Sequence, residues 1–105
     1  MVQILSFFSC NDLSVNNLKI TNSPKAHITL TDCNGAKFSN IDIQSPSYSP
    51  NTDGFDISTS KNISIEDSNI QSGNQRWQNM SLEIHISYDK IWLDSSLKYF
   101  YYDNE

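Results

Sequence analysis

The residues best suited to chemistry in this sequence lie in one short polar turn. The tetrapeptide Asn51–Gly54 follows Pro50 and precedes the alternating run Phe55–Ser58. Its one titratable group is the carboxylate of Asp53, and positioned carboxylates act as general acids or bases. Taken alone, however, these residues are typical of an ordinary turn, because Asp-Gly favours tight bends and Pro50 fixes the entry of the chain. The role of the turn therefore depends on the elements that position it.

Three segments of the chain share one layout, a strand-like run with apolar residues at alternate places that ends in Ser followed by Pro or Gly. The segments are Val15–Pro24, Phe38–Pro46 and Ile63–Gly73. Ile20, Ile43 and Ile70 occupy matching places in them, at intervals of 23 and 27 residues. Alternation with period two indicates β-strands. Recurrence at such intervals, within the range of roughly 20–50 residues, indicates a repeat architecture.

Two further alternating runs, His27–Thr31 and Gly54–Ser58, lie between these segments, and Ile28 and Phe55 repeat the interval from Ile43 to Ile70. A single coil of 23 to 27 residues cannot bury its own apolar face. Stacking coils at about 4.8 Å aligns equivalent residues into ladders and builds a continuous core. The composition agrees, since 17 Ser, 12 Asn and 12 Ile favour many short strands joined by many bends. The sequence therefore predicts an all-β solenoid.

The turn and its surroundings together resemble the polygalacturonases, glycoside hydrolase family 28. The resemblance rests on Asn22–Ile28, on the bend from Ser45 to Pro50 and on Asn51–Ser58, and it covers about residues 2–73. It implies a right-handed single-stranded parallel β-helix, a pectin-lyase-like solenoid, of which this chain holds about three coils. The remaining residues, 74–105, are expected to be a divergent tail outside the family fold.

The resemblance also implies an activity, the inverting hydrolysis of α-1,4-galacturonan in pectin. That mechanism needs one carboxylic acid and one carboxylate about 6.5–9.5 Å apart. By resemblance, Asp53 helps to position and activate the water, and Asn51 shapes the substrate-binding cleft. The family implies no cofactor and no metal site, a pectin or polygalacturonate partner, a monomer, and secretion to the cell wall.

The sequence departs from the family pattern immediately after the third repeat. Where the family continues as Gly-Asp-Asp, supplying the general acid and a second water-activating carboxylate, this chain reads Gly73, Asn74, Gln75. An amide cannot titrate. The later Gly-His-Gly and Arg-Ile-Lys motifs of the family are absent as well. The chain alone is therefore predicted to be catalytically incompetent.

Other polar residues are interpreted as parts of the wall of the solenoid. His27 precedes a ladder strand, and His85 has no flanking glycines, so neither is equated with the family histidine. Asp42, Asp56 and Asp67 alternate with apolar residues and are expected at solvated positions.

Composition excludes several other classes. A net charge of -5 with only seven dispersed basic residues argues against a nucleic-acid surface. No apolar run approaches a membrane span of roughly 20 residues, and residues 1–10 lack the features of a signal peptide. Cys10 and Cys33 form no metal spacing; they could pair in an oxidising compartment or be two small buried side chains.

Three functional hypotheses remain. The leading one is a truncated polygalacturonase, whose sequence diverges where the family's catalytic pair should begin. A second is a non-catalytic pectin-binding or structural solenoid, which predicts binding of oligogalacturonides without cleavage. A third is a pectate lyase, whose calcium ligands and arginine base have no counterpart in the sequence.

Overall fold

The computed structural model describes residues 4–21, 27–45, 53–72, 75–94 and 99–103, and every element in these ranges is a β-strand. The strands are β1 (Ile4–Phe8), β2 (Asn11–Ile20), β3 (His27–Thr31), β4 (Asn34–Ser45), β5 (Asp53–Ser58), β6 (Lys61–Ser72), β7 (Gln75–Ile84), β8 (Lys90–Asp94) and β9 (Tyr99–Asp103). No helix long and apolar enough to cross a membrane occurs in the described ranges.

The first six strands form three stacked coils. Each coil contributes one short strand to a first sheet (β1, β3, β5) and one longer strand to a second sheet (β2, β4, β6), and neighbours in each stack run parallel. Ile20 lies opposite Ile43 and Ile43 opposite Ile70, which confirms that these residues mark successive coils. Ile28 lies opposite Phe55 in the other sheet. The predicted parallel β-helix is confirmed.

Bends with left-handed backbone recur at the same places in each coil. Their φ values lie between 46° and 88° in the trios Ser9, Asp32 and Thr59; Asp12, Gly35 and Asn62; and Asn17, Asn40 and Asp67. Within each trio the members are one coil apart. Asn, Asp and Gly tolerate this conformation better than other residues, and the amide of Asn40 donates to Asn17 Oδ1 at 2.7 Å. The shape of the coil thus accounts for Asn17, Asn40 and Asn62.

The interior lies between the two sheets and is apolar. Its fully buried side chains include Phe38, Phe55, Ile28, Leu30, Ile41, Ile43, Ile57, Ile63, Ile65 and Ile70. Phe38 of the second coil meets Phe7 of the first and Phe55 of the third edge-on, with ring centroids 6.2 Å and 5.5 Å apart. Such aromatic pairs contribute about 0.5–1.5 kcal/mol beyond area burial. The stack is thereby tied together along its axis as well as by its strands.

Antiparallel strands cover the edge of the third coil that faces away from the second coil. β7 pairs with β6 and β8 with β5, and β9 extends β8. After residue 73 the alternation of apolar residues breaks down and only residues 82–88 keep a strand-like pattern, yet β7 spans Gln75–Ile84. Pairing to the open edge of β6 supplies the backbone hydrogen bonds of this strand without strict alternation. The expected boundary near residue 74 coincides with this change of direction, and the separate status of the tail stays a prediction.

Candidate functional site

The predicted turn overlaps β5, because Asp53 and Gly54 already belong to that strand. Asp53 is the first residue of that strand, and the alternation after it places Phe55 and Ile57 in the core. Asp56, between them, is half-buried. Asn51 lies outside the described residues. The predicted catalytic position is therefore the first residue of a core strand of the third coil.

Gly54 fixes how closely this point approaches the second sheet. The residue is buried, and a Cβ built on it would overlap Ile70 Cδ1 and lie 2.8 Å from Ile70 Cγ1. Ile70 belongs to β6 of the same coil and is itself buried. The glycine of the motif is thus required by close packing, and its φ is not in the left-handed region.

On the side of β5 that faces away from the second coil, the backbone of Asp53 lies opposite Asp94 of β8. The register of this pairing is irregular between Asp53 and Phe55. Two acidic positions from distant parts of the sequence therefore face each other across neighbouring strands. Sequence reasoning did not single out Asp94, because its place depends on the antiparallel return of β8, for which no alternation gave a signal.

One of the two amides that stand where the resemblance implies carboxylates, Gln75, lies at the start of β7. Gln75 is the first residue of β7 and pairs with Ser72 of β6. Asn74 lies outside the described residues. Neither residue type can donate a proton as a carboxylic acid does, so this stretch of the chain carries no titratable partner for Asp53.

Three other acids and histidines in the described ranges lie on different elements, with Asp42 in β4, Asp67 in β6 and His85 after β7. Asp42 is half-buried and 3.4 Å from the amide nitrogen of Gln44, and Asp67 is exposed at a bend. His85 is exposed, with Nε2 3.4 Å from a carboxylate oxygen of Glu83. His27 begins β3, and its side chain lies outside the described part. In the described ranges no three His, Cys, Asp or Glu residues are grouped to hold a metal ion.

A shallow polar groove of about 160 Å³ lies on the outer face of the second sheet. It is lined by Asp42, Gln44, Asn69, Gln71, Arg76 and Gln78. Gln44, Gln71 and Arg76 stand in one row across β4, β6 and β7, and Arg76 Nη2 donates to Gln71 Oε1 at 3.1 Å. The row occupies the end of β4 from which the chain continues towards the candidate turn. Sequence reasoning missed it, because β7 was not predicted.

A known family matches the sequence that forms the coils. The model of glycosyl hydrolases family 28 matches residues 2–87. The chain belongs to this family. Among curated proteins, it is 41% identical over 69 residues to Polygalacturonase QRT2 of Arabidopsis thaliana, covering 66% of this chain and 16% of that protein. Over a stretch of the same length it is 41% identical to Polygalacturonase-2 of Solanum lycopersicum, covering 66% and 15%.

A conifer relative is similar to this family 28 chain as well. The chain is 44% identical over 61 residues to the Polygalacturonase of Juniperus ashei, which covers 58% of this chain and 12% of that protein. No solved structure matches the chain. It spans between about an eighth and a sixth of the length of the curated relatives it matches. These comparisons confirm the predicted family.

Proposed function

We propose that this chain forms part of a polygalacturonase that hydrolyses the α-1,4-galacturonan backbone of pectin by inversion, outside the cell in the plant cell wall. The observation that carries the proposal is the family match over residues 2–87, within which Asp53 begins the core strand β5. Several relatives bear the name polygalacturonase.

In the proposed reaction, Asp53 acts as a carboxylate that positions and activates the attacking water. Asn51 shapes the cleft beside it. The close contact of Gly54 with Ile70 holds the start of β5 against the second sheet, so the Asp53 backbone has a defined place. A general base displaced by about 1 Å loses much of its effect, which is why such packing matters for catalysis.

The general acid is not supplied by Asn74 or Gln75. A positioned acid or base contributes roughly 10²–10⁴-fold to the rate, so the isolated chain is expected to release no reducing ends from polygalacturonate above the buffer rate. Measurable turnover by the purified, folded chain would refute this part of the proposal.

The role of Asp53 is best tested in a complete enzyme. In a chimera, the aligned segment of Polygalacturonase QRT2 is replaced by the matching segment of this chain, and polygalacturonate hydrolysis is measured. We expect the chimera to be active and D53N to lower kcat by about 10²–10⁴-fold. The control D67N changes an exposed bend residue to one that tolerates the same backbone, and should leave kcat within about twofold, as surface substitutions usually do.

Two results would contradict the proposal in different ways. A folded but inactive chimera would show that this segment does not support pectin hydrolysis. An active chimera that is insensitive to D53N would retain the family activity and remove Asp53 from it.

A second function is favoured by the polar groove on the second sheet. Amide groups donate and accept hydrogen bonds at once, and a guanidinium binds a carboxylate in a bidentate manner. The row of Gln44, Gln71 and Arg76 therefore offers partners for both the hydroxyls and the carboxylate of a uronic acid. On this basis we propose that the chain binds oligogalacturonides without cleaving them.

A further inference from the structure

Cys10 and Cys33 occupy equivalent places in successive coils. Each lies in the bend between the short and the long strand of its coil, and the strands on both sides are paired at the same offset that separates the two cysteines. The backbone is joined at this level, because the Asn34 N–H donates to the Cys10 carbonyl at 2.9 Å. Neighbouring strands are about 4.8 Å apart, within the roughly 4.4–6.8 Å that Cα atoms of a disulfide span.

The two sulfur atoms lie at the same end of β1. The Cys10 thiol is 3.5 Å from the carbonyl oxygen of Phe8, and the Cys33 thiol is 3.6 Å from that of Phe7. The Cys33 thiol is also 3.5 Å from the carbonyl oxygen of Thr31 in its own coil, so its sulfur lies between the first and the second coil. Besides partial burial, the Cys33 thiol is near enough to contribute to a raised pKa of the Cys10 thiol.

The two thiols differ in access to solvent. Cys33 is buried, with 2% of its surface exposed, whereas Cys10 is half-buried. In the third coil the equivalent residue is Ser60, whose hydroxyl accepts from the Cys33 N–H at 3.0 Å. The ladder therefore reads Cys, Cys, Ser, and a sulfur–sulfur bond can form only between its first two members.

We infer that Cys10 and Cys33 are a disulfide-forming pair that covalently links the first coil to the second when a small-molecule disulfide is present as oxidant. The inference rests on the fold alone and does not depend on the proposed enzyme activity. Both cysteines carry free thiols in the structure.

The chemistry is two successive thiol–disulfide exchanges with oxidised glutathione. The thiolate of the accessible Cys10 attacks one glutathione sulfur, the S–S bond of glutathione breaks, and one glutathione leaves as a thiolate that takes up a proton. The Cys33 sulfur then attacks the Cys10 sulfur of the mixed disulfide and releases the second glutathione. Two protein thiols lose two electrons and two protons, and the disulfide of oxidised glutathione gains them to become two glutathione thiols.

The experiment equilibrates the full chain with oxidised and reduced glutathione at a fixed ratio, with and without urea, and quenches with acid. We expect the native chain to lose both thiols, to carry no glutathione, and to yield a linked pair of tryptic peptides that end at Lys19 and Lys37. The ratio of linked to reduced chain should be about tenfold or more higher without urea than with it, because the fold holds the sulfurs together.

Thermal denaturation gives a second measurement. Oxidation of the native chain should raise the midpoint by about 10 °C, since a disulfide that closes a loop of this size typically stabilises a small domain that much. The matched variants C10S and C33S each keep one thiol and should show no oxidant-dependent shift. Three results would overturn the inference: two thiols that persist, a stable glutathione adduct, or a linked fraction that urea leaves unchanged.

Discussion

The backbone of Gly54 packs directly against the side chain of Ile70. A methyl group on Gly54 would lie 2.8 Å from Ile70 Cγ1 and overlap Cδ1. Contacts of that length force side chains or backbone to move in a close-packed interior. The glycine that follows the proposed catalytic aspartate is therefore held by packing inside the third coil.

The first prediction concerns this contact. G54A should destabilise the chain by about 1–3 kcal/mol, the usual cost of overpacking, measured as the free energy of unfolding in urea. I70V removes Cδ1 and alone should cost about 0.5–1.5 kcal/mol. In the I70V background the cost of G54A should fall, which a double-mutant cycle detects. Equal costs of G54A in both backgrounds would show that the two residues are not coupled.

A second prediction concerns the buried hydroxyl of Ser68. It accepts from the Ile41 N–H at 3.2 Å and donates to the Glu66 carbonyl at 2.8 Å. S68A leaves that N–H without its partner in the core, which should cost about 1–3 kcal/mol of unfolding free energy. The control S14A lies on an exposed part of β2 and should change stability by less than about 0.5 kcal/mol. If S68A costs no more unfolding free energy than S14A, the Ser68 hydroxyl does not stabilise the core through its hydrogen bonds.

A third prediction concerns the left-handed bend at Asn40, where φ is 56°. Both N40A and N40G lose the hydrogen bond to Asn17, but only alanine carries the strain of this conformation. We expect N40A to be about 0.5–1 kcal/mol less stable than N40G, because strain of ~1–2 kcal/mol is partly offset by the greater chain entropy of glycine. If N40A proves as stable as N40G, the bend does not require a left-handed conformation at residue 40.

Repetition made the coils predictable from the sequence. Ile20, Ile43 and Ile70 occupy the same environment in successive coils, so each occurrence supports the others. Their spacing therefore predicts the register of the paired strands. The bends were predictable as a class from the abundance of Asn and Ser. Their alignment into three ladders was not, because it depends on backbone angles that single residues do not specify.

The surroundings of the candidate site were less predictable, for physical reasons. The contact of Gly54 with Ile70 joins two strands of one coil, and the local motif indicates only a turn. The pairing of Asp53 with Asp94 depends on an edge strand held by backbone hydrogen bonds, and these bonds have no sequence pattern of their own. Residue types predicted where chemistry could occur, whereas tertiary packing decided what surrounds it.

A fourth prediction follows from the environment of Cys10. Partial burial, and then the neighbouring thiol of Cys33, raise the pKa of the Cys10 thiol. Because the thiolate is the reactive form, a raised pKa lowers the alkylation rate at any pH below it. Iodoacetamide should modify Cys10 more slowly at about pH 8 than it modifies an unfolded cysteine peptide, with the rate rising about tenfold per pH unit. C33S should move this profile to lower pH, and an unshifted profile would exclude the thiol of Cys33 as a cause.

The last prediction tests the polar groove as a uronate-binding surface. Arg76 stands at the end of the row formed with Gln44 and Gln71, and its guanidinium already meets the Gln71 amide oxygen at 3.1 Å. R76Q should weaken the binding of trigalacturonate about tenfold, the effect of losing one charge-assisted hydrogen bond of roughly 1.5 kcal/mol. Chemical shifts of the glutamine side-chain amides report both the affinity and the location of binding.

The matched control is K61Q, which removes the same charge from an exposed position outside the groove. It should bind trigalacturonate within about twofold of the native chain, as expected for the loss of a distant, screened charge. The methyl ester of the same sugar lacks the carboxylates, so R76Q should not alter its binding. If K61Q and R76Q weaken binding equally, the groove acts only through overall charge and does not recognise the carboxylate.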